Sequence, residues 1–202
     1  MSAQANWPDL LRQISKEILT DADFLEGNLA ETLTPAHRQA GWLGEPGATE
    51  VELAALEQRL ATQLPPSYRT FLQTSNGFGP LDYFIWDLQP CQKVDWLVNT
   101  NRDVVELWEK GSKQTPSVSD EEYFQYGEEQ AGEQVRGEYF RELLMISDWG
   151  DAGFLALNPA VQHEGEWEAW HFASWIPGAN RYRSFTELMQ ATLVGYQALK
   201  AE

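Results

Sequence analysis

The 202-residue chain contains a single cysteine, Cys91. That excludes an internal disulfide framework and fits a reducing compartment, so a cytoplasmic location is expected. Long apolar runs are missing too, and none approaches the ~20 residues that a membrane-spanning helix needs. The opening MSAQANWPDLLRQ has neither a basic region nor an apolar one behind it, so no secretory signal is expected there. Cations are scarce: 14 Lys+Arg stand against 31 Asp+Glu, a formal net charge of −17. Such a chain repels nucleic-acid phosphates and anionic lipids at neutral pH. Composition therefore excludes direct nucleic-acid and membrane partners and favours a basic or neutral one.

Catalytic signatures are equally sparse. The three histidines, His37, His163 and His171, share no short ligand spacing, and Cys91 is distant from all of them in sequence. No metal site is expected, because three or four ligands would have to converge. The chain has no G-x-S-x-G, H-E-x-x-H, P-loop or G-x-G-x-x-G motif, so neither an enzyme nor a bound cofactor is expected.

What the chain does have is apolar material, 43% hydrophobic and 12% aromatic residues with nine Trp, which supports a packed core in spite of the charge. Residues 1–46 read as an N-terminal helical extension, opened by Trp7-Pro8 ahead of Leu10, Leu11, Ile14, Ile18 and Leu19. Residues 47–202 read as the main domain. Thr49 with Glu52 three residues on predicts a capped helix carrying Leu53, Leu56 and Leu60. Pro65 ends it, Pro66 begins a second helix with Tyr68, Phe71 and Leu72, and Asn76-Gly77 closes that one. A strand is predicted over 81–88 and a helix over 98–110, followed by an acidic surface excursion over 111–135. Three apolar runs then suggest a meander: 139–147, 154–157 and 167–172, with turns at DWGDAG and NPAVQHEGE. Both faces of 167–172 are apolar, which predicts a central strand. Ser184 and Glu187 open a last helix. The sum is an α+β fold, a mostly antiparallel sheet with helices packed on one face.

At the helix–proline–helix corner the chain resembles the SUKH superfamily, which includes fungal cell-wall-assembly regulators and many bacterial proteins. The resemblance is carried by Glu52, Leu64, Pro65, Tyr68, Phe71, Asn76 and Gly77, then by the run from Ile146 to Asp151 and by Phe185 and Leu188. It covers about residues 48–200 and leaves residues 1–46 outside the pattern. It implies a SUKH-like fold and a non-catalytic immunity protein that neutralises a cognate bacterial toxin, such as a nuclease, by occluding its active site. A regulatory interaction module related to the cell-wall-assembly regulators is the alternative.

The residues expected to meet the partner crowd two turns of the meander: Asp148, Trp149, Asp151, Glu164, Glu166, Glu168, Trp170 and Trp175. No Lys or Arg lies between Arg141 and Arg181, so this region presents one sign of charge to a basic toxin domain. Tryptophans supply anchors that are desolvated on binding. Trp170 or Trp175 is the expected exposed ring, whereas Trp86, Trp96, Trp108 and Trp149 are expected in the core. Two other readings of the carboxylates stay open. Asp148 and Asp151 can simply shape a glycine-containing turn, or act as the paired acids of a glycoside hydrolase.

Overall fold

The computed structural model describes residues 6–200. Residues 1–5 of the expected extension and 201–202 of the expected main domain lie outside them. Helix α1 (Trp7–Leu19) starts as its sequence dictates, with Pro8 in the first turn and the Asn6 side chain accepting from Asp9 N. The short helices α2 (Ala22–Glu26) and α3 (Pro35–Ala40) follow. Helix α4 (Glu50–Leu60) carries the complete capping box. Thr49 N donates to Glu52 Oε2 at 2.8 Å and Glu52 N to Thr49 Oγ1 at 3.3 Å. Helix α5 (Pro66–Thr74) begins at Pro66, and Gly77 downstream takes a φ of +103°, a conformation few side chains tolerate.

The segment after α5 departs from expectation. Residues 81–88 form no strand. Asp82 Oδ1 accepts from both Phe84 N and Ile85 N at 2.7 Å, curling the chain into a turn, and only Leu88 bridges, to Phe78 and Ser147. A short acceptor competing with ladder hydrogen bonds overrides the strand propensity of the aromatic residues around it. The single helix expected over 98–110 is two, α6 (Leu97–Thr100) and α7 (Arg102–Ser112), broken at Asn101, where φ is −138° and ψ 60°. The excursion carries a short α-helix, α8 (Asp120–Tyr123), capped by Ser119, and a single 3-10 turn at Gly127–Glu129.

The sheet is an antiparallel meander in the order β1-β2-β3-β4-β5. Its strands are β1 (Asp95–Trp96), β2 (Leu144–Met145), β3 (Gly153–His163), β4 (Glu166–Ala173) and β5 (Gly178–Tyr182). The run 158–163, expected as turn, belongs to β3: an irregularity between Asn158 and Gln162 absorbs Pro159 without ending the pairing. Strand β4 is interior, as its two apolar faces require. Helix α9 (Phe185–Leu199), capped by Ser184, closes the chain.

Both faces of the sheet are covered. On one, Leu155, Leu157, Trp167 and Ala169 join Trp7, Leu11, Leu53, Phe71 and Phe185, so residues before position 47 share a core with those after it. On the other, Met145, Phe154, Ala156, Trp170 and Phe172 meet Leu97, Val105, Tyr123 and Phe140 from the 97–142 segment. That second layer follows from the period-2 geometry of β4, which sends Trp170 and Phe172 away from Trp167 and Ala169. The free edge of β5 is occupied as well. Ala179 N donates to Gly132 O at 3.0 Å, and Gln130 exchanges two hydrogen bonds with the Arg181 backbone. An open edge would invite pairing with another chain, and this strap blocks it.

Candidate functional site

The eight residues expected at the partner surface fall into three places. Strand β4 separates the two turns by roughly 23 Å at ~3.3 Å per residue. Asp148, Trp149, Asp151 and Trp175 lie near the Gly153–Ala173 end, whereas Glu164 and Glu166 sit at the His163 hairpin. Glu164 is exposed with a φ of +51°. Glu166 is committed to the start of α5: Oε1 accepts from Ser67 N at 2.9 Å and Oε2 from Ser67 Oγ at 2.6 Å.

Glu168 and Trp170, expected at that surface, are instead fully buried. Glu168 Oε2 accepts from Tyr123 Oη at 2.6 Å, Trp170 Nε1 at 2.6 Å and Asn158 Nδ2 at 3.0 Å, while Oε1 accepts from Tyr126 Oη at 2.8 Å. Arg181, equally buried, supplies the countercharge at 3.6 Å and donates to the Tyr123 carbonyl. Burial, then the adjacent Glu168 charge, push the Tyr123 and Tyr126 phenols far above their ordinary pKa, so both stay donors. This cluster fastens the 120–130 segment to the sheet and is structural. The spacing Glu168…Arg181 carries no signal of it, because the partners come from two strands and an inserted segment.

The remaining four residues do come together. Trp149, expected in the core, is 36% exposed, and Trp175 is 49% exposed. Trp149 rests on Phe154 with ring centroids 5.0 Å apart, and Trp175 rests on Phe84 at 4.8 Å. Main-chain bonds tie the two turns and the 82–87 loop together: Ser174 N to Ala152 O at 2.9 Å, Asp151 N to Phe84 O at 2.8 Å and Asp148 N to Asp87 O at 2.9 Å. Gly150 is required at this junction, since a Cβ there would lie 1.9 Å from the Phe84 carbonyl oxygen.

Phe84 and Asp87 join this rim although sequence reasoning placed them in a strand. Asp148 Oδ1 accepts from Asp87 N at 3.1 Å, so it does shape the turn. Desolvation, and for Asp87 also the neighbouring Asp148 charge, hold both carboxyls above the usual range. Among the described residues Asp87, Asp148 and Asp151 form no ion pair. The β5 strap reaches the same end of the sheet, because a Cβ on Gly132 would meet Ile176 at 2.5 Å. Exposed Glu128, Glu129 and Glu133 flank that strap.

Among the described residues no three of His, Cys, Asp and Glu gather in a metal-holding group, and no helix is long and apolar enough to cross a membrane. What the rim can do chemically is present to another molecule fixed aromatic faces and carboxylates held in no ion pair among the described residues. No curated protein matches the chain. A family model does: the SMI1 / KNR4 family (SUKH-1) matches residues 47–191, from the loop before α4 into α9. With most of its length in that match, the chain belongs to the SMI1 / KNR4 family (SUKH-1).

Proposed function

We propose that this chain is a non-catalytic immunity protein that binds a basic toxin domain and occludes its active site. The observation that carries the reading is the rim itself, where exposed Trp149 and Trp175 share hydrogen-bonded loops with Asp87, Asp148 and Asp151, carboxylates that form no ion pair among the described residues. Rings held by packing lose little freedom on binding, which favours slow dissociation. The one-signed charge accelerates encounter with a basic surface and is screened by salt. Family membership supports protein interaction as the mode of action. Glu164 and Glu166, at the opposite hairpin, and the buried Glu168 and Trp170 have no part in this contact face.

The test is co-purification of the full chain from its host, washed at low and then high salt, with the captured protein assayed free and bound. A stoichiometric basic domain whose activity is silenced in the complex is the expected result. A captured partner that keeps its full activity would overturn the reading and assign the chain to the alternative, a regulatory interaction module.

A further inference from the structure

We infer that the rim formed by Trp149, Trp175, Phe84, Asp87 and Asp148 is a receptor for arginine side chains on a basic segment of a protein partner. The inference rests on the reading of this rim as the contact face and names what is gripped there.

Three features carry it. First, the aromatic surface is open yet fixed. Trp175 lies against Phe84, Trp149 lies against Phe154, and the three loops bearing these rings are bound to one another by main-chain hydrogen bonds. Second, the carboxylates on the same loops form no ion pair among the described residues, although Lys93 acts electrostatically on both Asp87 and Asp148, and His37 on Asp87. Third, these two kinds of group suit a guanidinium better than an ammonium ion. A guanidinium is planar, weakly hydrated and forked, so it stacks on an indole while donating to a carboxylate. A lysine is a compact, strongly hydrated charge that gains less from the ring and loses more water.

The protein already uses this chemistry elsewhere, once in its interior and once at its surface. Arg181 lies 4.2 Å from the Tyr123 ring centroid while paired with Glu168, and Arg136 lies 4.6 Å from the same ring while paired with Asp120. At the rim the ring and the carboxylates are present and the arginine is to be supplied by the partner.

The experiment titrates the full isotopically labelled chain with an oligo-arginine peptide and a length-matched oligo-lysine peptide. The indole N–H resonances of Trp149 and Trp175 are followed by NMR. Both should shift, with arginine binding about tenfold tighter than lysine. W175A should abolish that preference. The D87N/D148N double variant, which keeps an oxygen acceptor at position 148, should weaken both peptides and provides the test if W175A fails to fold. Equal affinity for the two peptides, or shifts confined to resonances away from the rim, would overturn the inference. The outcomes separate from those of the immunity reading. A silenced toxin whose binding survives both variants removes the arginine receptor alone, and arginine selectivity without any inhibited partner removes the immunity role alone.

Discussion

Glu168 and Arg181 meet inside the protein with no solvent exposure on either side chain, 3.6 Å apart across neighbouring strands β4 and β5. Their remaining polar atoms are nearly all engaged by Tyr123, Tyr126, Asn158, Trp170 and the backbone of the 120–130 segment. A charge moved out of water is tolerated only when it is compensated in this way.

Removing one partner should therefore cost much more than removing both. E168A leaves Arg181 buried and unpaired, and unfolding in urea should report a loss of about 3–5 kcal/mol. The pair replaced by apolar residues of similar volume should be less destabilised than the single variant. A loss below about 1 kcal/mol in E168A would show that the cluster does not hold the second layer to the sheet.

Gly150 should tolerate no side chain. A Cβ at 1.9 Å from the Phe84 carbonyl forces the 82–87 loop away from the Trp149 turn. G150A should lower stability by about 1–3 kcal/mol and loosen the rim before the rest of the fold. Hydrogen exchange at Asp148 and Asp151, whose amides bond into that loop, is the readout.

Cys91 should be a slow thiol. Burial, then the nearby Glu52 charge, push its pKa up to about 11, so little thiolate exists at neutral pH. A chromogenic disulfide reagent at pH 8 should react many times more slowly with the native protein than with the protein in denaturant. Equal rates would contradict the burial.

His171 should make the fold acid-sensitive. Desolvation lowers its pKa, partly opposed by Asp82, whose own carboxyl burial holds above the usual range. Nε2 is buried without a hydrogen-bond partner. The unfolded state therefore binds the His171 proton first, at the ordinary value near 6.5, and this contribution to stability is complete above that pH. It diminishes as the pH falls from there toward the lowered native value. Denaturation midpoints should drop across that window, and H171Q should flatten the slope.

The helix ends were readable because they are local events. Thr49 and Glu52 are three residues apart, Pro66 presets its own φ, and the Ser184 cap reaches only Glu187. The interior position of β4 was readable for a similar reason, since alternate residues point to opposite faces and both sets are apolar. The layer that residues 97–142 build on the second face was not expected, because the helices were placed on one face of the sheet alone.

The site was a different matter. Asp151 and Glu164 are close in sequence, yet an extended strand converts that short separation into opposite ends of the sheet, so a cluster of letters became two distant places. Glu168 resembled any exposed acid until Arg181, Tyr123 and Tyr126 arrived from other segments to cover and neutralise it. Asp82 undid a strand by bonding its own turn, and the loop that follows carries Phe84 against Trp175 and Asp87 against Asp148. Charge, caps and strand periodicity are properties of neighbouring residues and were legible from the chain alone. Which carboxylates face water, and which rings stand beside them, depends on long-range pairings and so was settled only by the packed sheet.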